Sequence, residues 1–336
     1  MAEATIRDVA RLAGVSVASV SRALNGRENV TALLREKVEA VARQLSYVPH
    51  AGARSLSMAR SHTIGVVLPD LHGEFFSEIV RGMDREASSR GLHLILSNQH
   101  GQGDDAAQVL RAMRGRVDGL IVMAPELLES VLTDILPPSL PAVLINSCAA
   151  GDNRPRLRID NRAGVDMIVE HLVDGGYRRL AHIAGPSTNL DARERSDGFM
   201  AAVARCGVEG IVVPGNFSEE SGAGAATNLL ALPDPPDAIV AANDMMAIGC
   251  LLTLRAAGVA VPGTMAIAGF DDIPLAKYLE LTTARVCIVD IGRRALIRLA
   301  AMIDGESAAA DVELFAPELV IRSTSVRTPA TSDALS

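Results

Sequence analysis

Short apolar segments alternate with amphipathic segments over most of this chain, from about residue 61 to residue 269. Segments with few polar residues are typical of strands buried on both faces, as in a parallel sheet covered by helices. The alternation begins again after Asp160, which predicts an α/β body of two similar, doubly wound lobes. We expect strands at Ile64–Leu68, Leu92–Leu96, Gly119–Met123, Ala142–Ile145, Leu180–Ala184, Ile211–Val213, Ala238–Ala241 and Met265–Gly269. We expect helices at Phe76–Arg90, Ala106–Met113, Ala163–Val173, Arg193–Ala204, Ser221–Leu230 and Met245–Ala257.

Aromatic and polar residues follow the predicted strands, where open α/β sheets bind small molecules. Carboxylates and amides bond to hydroxyl groups, arginine pairs with oxygen atoms, and a phenylalanine ring stacks on an apolar face. This pattern suits a small, polar and polyhydroxylated or planar ligand. The residues at these strand ends are Asp70, His72, Glu74, Phe75, Phe76, Asn146, Asp191, Arg193, Arg195, Phe217, Asn243, Asp244, Asp271 and Asp272.

Each candidate also has a structural interpretation. Asn243 or Asp244 is suited to cap the helix that follows it. Phe75 and Phe76 could belong to the core, and "ARERSDGF" at 192–199 could be a solvated start of a helix.

The N-terminal stretch "TIRDVARLAGVSVASVSRALNG" has the spacing of a helix-turn-helix. Thr5 can cap a helix that begins at Ile6, Gly14 provides the turn, and Ser16 can cap a second helix. A third helix is expected from Thr31 to a stop before Pro49. Ala10, Gly14 and Val20 supply the small residue, the turn and the buried anchor that two steeply crossing helices need. An ordinary small helical bundle is the alternative.

The charge distribution favours the DNA-binding interpretation. The whole chain has a net charge of −8, yet residues 1–61 hold nine Arg and Lys against five Asp and Glu. A basic head on an acidic body is expected where one module meets phosphate and the other does not. If Val20 and Leu24 point inward, then Val17, Ala18, Ser21 and Arg22 point outward. Short apolar, hydroxyl and guanidinium groups suit base edges and phosphates in a major groove.

The stretch from Thr5 to Pro49 resembles the head of the lac repressor/galactose repressor family, and the likeness extends over nearly the whole chain. The resemblance implies a dimer that reads a roughly palindromic operator, with Val17 and Ala18 making the main base contacts. In similar members this Val-Ala pair goes with sites that have a central C-G step. It also implies a hinge that folds on DNA and inserts a leucine into the minor groove. The DNA-binding residues expected on this basis are Thr5, Ser16, Val17, Ala18, Ser21, Arg22, Asn25, Ala53, Arg54 and Leu56.

The two-lobed body is similar to sugar-binding periplasmic proteins and to the effector domain of the same family. Carried over by position, the effector residues are Phe75, Arg195, Phe217, Asn243 and Asp271, with Asp160 and Asp191 as further candidates. In the body the chain departs from the family because Gly73-Glu74 stands where Asn-Pro is frequent, and in the hinge it departs by placing Gly52 in the segment and His50 where Asn or Ser is common.

The implied organisation is a DNA-binding head at 1–49, a hinge at 50–61, an effector and dimerisation domain at 62–328, and a tail at 329–336. The lobe boundaries are expected near 160 and 290. No apolar heptad follows the body, so we expect a homodimer.

The sequence predicts a ligand-responsive transcriptional regulator, most simply a repressor of a sugar or carbon-utilisation operon. A response to a nucleobase or nucleoside, a corepressor-dependent mode and a global carbon regulator remain alternatives. An enzyme is a rival, but no phosphate loop, nucleophile elbow or metal-ligand spacing is visible, so we expect no catalytic residue, cofactor or metal. A transport binding protein would suit the body alone.

The expected location is cytoplasmic. The N-terminus carries no signal-peptide pattern, and the apolar runs are too short to span a membrane. The four cysteines are far apart, which is typical of small buried residues in a reduced protein.

Overall fold

The computed structural model describes residues 4–24, 30–47, 60–71, 73–98, 103–127, 129–147, 154–306 and 311–327. The chain divides into two compact units, Met1–Thr63 and Ile64–Ser336.

The first unit contains the three expected helices, α1 Ile6–Ala13, α2 Val17–Leu24 and α3 Ala32–Gln44. At the start of α1, the Thr5 backbone N–H and hydroxyl both donate to Asp8 Oδ2, at 3.0 and 2.7 Å. Gly14 has φ +69°, a left-handed conformation that glycine adopts without a steric penalty, and it ends α1 so that α2 can turn across it. The helices share a core of Val9, Ala10, Ala13, Val20, Ala23, Val38 and Ala42.

The second unit alternates strands and helices along the chain. Its strands are β1 Thr63–Leu68, β2 His93–Asn98, β3 Gly119–Met123, β4 Ala142–Ile145, β5 Arg156–Ile159, β6 Arg179–Ile183, β7 Glu209–Val213, β8 Ala238–Ala241, β9 Ala266–Asp271, β10 Thr282–Arg285, β11 Val312–Phe315 and β12 Glu318–Val320. Its helices are α4 Glu74–Ser89, α5 Gly103–Met113, α6 Glu129–Ile135, α7 Asn161–Asp174, α8 Leu190–Cys206, α9 Glu219–Leu230, α10 Asp244–Ala256, α11 Pro274–Tyr278 and α12 Ile288–Ile303.

The strands form two six-stranded sheets, which confirms the predicted two-lobed α/β body. Their orders are β11-β5-β4-β3-β1-β2 and β12-β10-β9-β8-β6-β7. Neighbours such as β1 and β3, or β8 and β9, pair in parallel, whereas β12 runs antiparallel to β10. The chain passes between the sheets three times: after β5, after β10, and between β11 and β12. We refer to the lobe built on β1–β5 as lobe 1 and to the lobe built on β6–β10 as lobe 2.

One close helix pair in each lobe depends on glycine. A Cβ atom on Gly82 of α4 would overlap the Val289 carbonyl oxygen of α12, so α12 lies against lobe 1. A Cβ atom on Gly249 of α10 would overlap the Glu219 carbonyl oxygen of α9 in lobe 2. These backbones lie too close together for any side chain at either glycine.

The structure also extends and corrects the expected elements. Helices α7 and α8 begin earlier than expected, and α6, β5 and all elements from α11 to β12 were not predicted individually. The expectation of buried cysteines is right for Cys250 but wrong for Cys287, which is exposed, while Cys148 lies outside the described residues. Among the described residues, no helix is both long and apolar enough to cross a membrane.

Candidate functional site

A cleft between the two lobes lies at the carboxyl ends of the strands, as the strand-end rule predicts. Its empty volume is about 480 Å³, part of it open to solvent. Three phenylalanines and several polar side chains face it. The lining residues are Pro69, Phe75, Phe76, Met123, Pro125, Asn189, Asp191, Arg195, Phe217, Asn243 and Asp271.

Six of the seven candidate effector residues therefore come together in this cleft. The seventh, Asp160, does not line it. Its carboxylate accepts the backbone N–H of Ala163 at 3.1 Å and so caps the N-terminus of α7. Asp160 lies between β5 and α7, where the chain crosses from one sheet to the other, so its selection by family position was wrong for the lining of this cleft.

Arg195 is the buried cation of the cleft, with 3% of its surface exposed. Its Nε donates to Asn161 Oδ1 at 2.8 Å and its Nη1 donates to the Ala242 carbonyl oxygen. Its Nη2 lies 3.5 Å from Asp271 Oδ1, and its guanidinium carbon lies 3.8 Å from the centroid of the Phe270 ring. Four contacts from three segments hold this side chain, so its guanidinium faces the cleft in a fixed orientation.

Asp271 is the last residue of β9 and is 4% exposed. Its φ of +110° is unusual for a residue with a Cβ, and such strain concentrates at functional sites. Within the described part of the chain, the buried Oδ1 makes no hydrogen bond of good geometry, although it forms an ion pair with Arg195 Nη2 at 3.5 Å. Burial raises the pKa of Asp271 to about 7, while Arg195 lowers it and Asp191 raises it. A ligand hydroxyl could donate to this oxygen.

Asp191 is the second buried carboxylate of the cleft. Its Oδ1 accepts a hydrogen bond from Asn161 Nδ2 at 2.8 Å, and the same nitrogen donates to Glu194 Oε2 at 3.0 Å. Burial raises the pKa of Asp191, and Arg195 and Asn161 both lower it. The cleft thus presents two carboxylates and one guanidinium, together with aromatic faces.

Asn243 satisfies both of the interpretations that its sequence position left open. Its Oδ1 accepts the Met246 backbone N–H at 3.0 Å and caps α10, while its Nδ2 donates to the Phe217 carbonyl oxygen at 3.0 Å. Phe217 has φ +70°, so Asn243 fixes a left-handed residue whose ring lines the cleft. Asn243 therefore positions Phe217 in addition to lining the cleft itself.

Sequence reasoning missed Asn189, Glu126 and Asn161. Asn189 caps α8 by accepting the Ala192 N–H at 3.1 Å, and it lines the cleft. Burial raises the pKa of Glu126, and a hydrogen bond from the Asn189 side chain lowers it. Glu126 follows β3 in lobe 1 and Asn189 follows β6 in lobe 2, so this hydrogen bond joins the two lobes. An Asn before an acidic helix start is a capping signal that could have identified Asn189.

Two further hydrogen bonds join the lobes beside the cleft. The Leu190 N–H donates to the Pro125 carbonyl oxygen at 3.0 Å. The Leu275 N–H donates to Glu74 Oε2 at 2.9 Å. Glu74 stands where the resembled family often has proline, so this departure provides an acceptor at the edge of the cleft.

In the first unit, α2 presents Val17, Ala18 and Arg22 to solvent, as expected. Val17 is 43% exposed. The Arg22 Nε donates to the Ala18 carbonyl oxygen at 3.2 Å, along the same helix. Ser21 is half-buried.

The two hydroxyl candidates that cap α1 and α2 have structural partners. Ser16 Oγ accepts the Ser19 N–H at 3.1 Å, and Thr5 contacts Asp8 as described above. The candidates Asn25, Ala53, Arg54 and Leu56 lie outside the described residues.

A helix-turn-helix unit with an exposed second helix, followed by a two-lobed α/β unit with a polar cleft, defines a DNA-binding regulator with a ligand-binding-type domain. The model for "Bacterial regulatory proteins, lacI family" matches residues 5–50, and that for "Periplasmic binding protein-like domain" matches residues 169–325.

The relatives agree with these matches. The ribose operon repressor of Escherichia coli (strain K12) is 35% identical over 301 residues, which cover 87% of this chain and 91% of that protein. The HTH-type transcriptional repressor CytR of the same strain is 32% identical over 332 residues, 97% of each chain. The chain belongs to the lacI family of bacterial regulatory proteins and is a DNA-binding transcriptional regulator.

Solved structures show the same fold. A lac repressor dimer bound to operator and the anti-inducer ONPF superposes with a TM-score of 0.87 at 28% identity, covering 97% of this chain and all of that one. A complex of the transcriptional regulator CelR with cellobiose has a TM-score of 0.70 at 28% identity, covering 96% and 99% of the two chains.

Proposed function

We propose that this protein is a repressor that binds a palindromic operator as a homodimer, and that a neutral, hydroxyl-rich ligand in the cleft changes its affinity for DNA. The observation that best supports the proposal is that one chain contains both an exposed α2 surface and a buried polar cleft. The ribose operon repressor and the operator-bound lac repressor dimer support both halves by similarity.

The charges of the cleft favour a neutral ligand. Two buried carboxylates outnumber the single guanidinium, and the Nε and Nη1 of Arg195 already donate to protein oxygens. Once both carboxylates are ionised, a phosphate or carboxylate group would meet a net negative charge in a poorly solvated space. Hydroxyl groups can donate to Asp191 and Asp271, and an apolar ring face can lie against Phe75 or Phe217. A monosaccharide has this combination of groups.

A nucleoside is the second candidate. It carries a sugar and a planar base, and the base could stack between the phenylalanine rings that line the cleft. A nucleoside that binds more tightly than its free sugar would favour this candidate.

Ligand binding is tested by thermal shift of the full chain against D-ribose, D-galactose, D-glucose, cytidine and adenosine, with ribose 5-phosphate as the charged comparison. Arg195→Ala should remove the shift that the wild type shows. Arg193→Ala is the matched control, because Arg193 lies on the same helix and is exposed. If ribose 5-phosphate stabilises the protein more than any neutral compound, the proposed ligand class is wrong.

DNA binding is tested by selection from a random duplex pool, followed by gel shifts at several salt concentrations. We expect a palindromic consensus and a steep loss of affinity with salt, because neutralised phosphates release counterions. Arg22→Ala on α2 should weaken binding, whereas Arg43→Ala, an exposed arginine near the end of α3, should have a smaller effect. Equal binding to all sequences at every salt concentration would exclude a specific operator.

The ligand and the operator must influence each other reciprocally. A ligand changes operator affinity only through its different affinities for the DNA-bound and free proteins, typically by ~1–3 kcal/mol. An inducer should weaken operator binding and a corepressor should strengthen it, and the operator should change ligand affinity by the same factor.

A further inference from the structure

Asn161 is a buried amide placed one layer behind the cleft. It is the first residue of α7, directly after the chain leaves β5 of lobe 1, and 1% of its surface is exposed. It does not line the cleft, and no sequence pattern singled it out. All of its polar atoms bond to charged side chains of α8. Oδ1 accepts from Arg195 Nε at 2.8 Å, and Nδ2 donates to Asp191 Oδ1 at 2.8 Å and to Glu194 Oε2 at 3.0 Å.

These partners have opposite charges, and only an amide satisfies both kinds with one rigid group. An aspartate at this position could accept from Arg195 but would repel Asp191, and an apolar residue would leave Arg195 Nε and Asp191 Oδ1 without these hydrogen bonds in the interior. Arg195 and Asp191 each line the cleft. We propose that Asn161 is a positioning residue for the effector: it holds the Arg195 guanidinium and the Asp191 carboxylate in the orientation in which both face the cleft.

The same network reaches the other lobe. Arg158 of β5 forms an ion pair with Glu194 Oε1, on the carboxylate whose second oxygen accepts from Asn161. The groups that face Asp191 are thus Arg195 and Glu194 from its own helix, Arg158 from β5, Asn161 from α7, and Asp271 from β9. Arg158, Glu194 and Asn161 connect the cleft to the strand that precedes the first crossover.

The hydrogen bonds to carboxylates give this role a signature that depends on pH. A donor stabilises an ionised carboxylate more than a protonated one, and Asn161 lowers the pKa of Asp191, which burial raises. Removing the donor therefore costs more stability at high pH, where Asp191 is ionised, than at low pH. A residue that only fills space would lose the same stability at every pH.

The test is thermal unfolding of the full chain between pH 5 and pH 8 for the wild type and Asn161→Ala. The exposed Asn228 on α9 provides the control Asn228→Ala. We expect the midpoint of Asn161→Ala to lie below that of the wild type, with a gap about 2–4 °C wider at pH 8 than at pH 5. Asn228→Ala should match the wild type throughout. If Asn161→Ala does not fold, Asn161→Ser replaces it, because a hydroxyl is too short to reach all three partners.

A double-mutant cycle identifies the partner. In an Asp191→Asn background, the midpoint difference caused by Asn161→Ala should increase less between pH 5 and pH 8, because one of the two carboxylates that accept hydrogen bonds from Asn161 is gone. The proposal would be overturned if the midpoint difference between the wild type and Asn161→Ala were the same at pH 5 and pH 8. It would also be overturned if that difference increased with pH by as much in the Asp191→Asn background as in the wild type.

The second readout is ligand affinity, with D-ribose as the probe. The Kd of Asn161→Ala should rise at least tenfold over the wild type, and an unchanged Kd would overturn the positioning role. This inference rests on the proposed ligand-binding function, but the two can fail separately. If D-ribose and the other neutral compounds leave the wild type unshifted, the proposed function fails, and the pH-dependent gap, which needs no ligand, still decides the role of Asn161.

Discussion

Replacing Asp271 with asparagine should stabilise the protein above neutral pH while removing its response to ligand. The carboxylate lies at the end of β9, 4% exposed, with one oxygen that makes no hydrogen bond of good geometry among the described residues. Burial raises its pKa from 3.8 to about 7. Asparagine has nearly the same shape and keeps one oxygen toward Arg195, but it carries no charge at any pH.

The magnitude follows from linkage. The folded protein holds the Asp271 proton more tightly than the unfolded chain does, so stability is lost as pH rises from the unfolded pKa through the folded one. Between pH 5 and about pH 7 the folded protein keeps the Asp271 proton, whereas the unfolded chain has released it. The loss therefore extends over about two pH units, and each unit is worth ~1.4 kcal/mol. The wild type should therefore lose about 3 kcal/mol that Asp271→Asn does not lose. Burial, and after it the neighbouring Asp271, raise the pKa of the buried Asp244. Asparagine at position 271 removes this second influence, which also stabilises the variant relative to the wild type as pH rises.

The assay is dye-monitored thermal unfolding of the full chain across this pH range. A domain of this size shifts by ~2–4 °C per kcal/mol, so the midpoint of Asp271→Asn should rise relative to the wild type by about 6–12 °C from pH 5 to pH 8.5. Asp197→Asn is the control, since that carboxylate is 67% exposed in a 3.6 Å ion pair. Parallel pH profiles for Asp271→Asn and the wild type would refute the reasoning, because they would mean that Asp271 is ionised at little cost.

Three further predictions concern packing, the cleft and DNA. Gly249→Ala should lower the free energy of unfolding by about 1–3 kcal/mol, because a methyl group would separate α10 from α9; Gly224→Ala, in open space on α9, should be neutral or stabilising in the same denaturant titration. Arg195→Lys should fail to restore ligand binding by calorimetry, since lysine cannot reproduce the planar fork; wild-type affinity would show that charge alone suffices. Replacing Val17 and Ala18 by a polar pair should change the operator consensus obtained by selection, and an unchanged consensus would place the base contacts elsewhere.

The elements with strong local periodicity could be predicted from the sequence. The strands β3, β4 and β8 have the expected bounds, because short apolar runs between polar turns carry their own signal. The three helices of the first unit follow from the capping Thr5, the turn at Gly14 and the apolar stripe of α1. The boundaries of these helices depend on residues that are close in sequence, so one sequence is enough to predict them.

The elements after Gly269 could not be assigned in this way. Helix α12 follows strands of lobe 2 but packs against α4 of lobe 1, and β11 and β12 join different sheets although two residues separate them. Nothing local indicates which sheet a strand joins, because pairing energy depends on partners far away along the chain.

The strand-end rule, which needs only the order of strands and the residues that follow them, indicated the region of the site, and six of the seven residues selected from it by family resemblance line one cleft. Within the cleft, the sequence determined which chemical groups are available: two carboxylates, one guanidinium and aromatic rings. Only the tertiary structure decided how they are held. The partners of Asn161 are 30 to 34 residues away. Asp160, its neighbour in sequence, caps a helix instead. A buried hydrogen bond depends on where distant backbones meet, and residue order alone does not specify that.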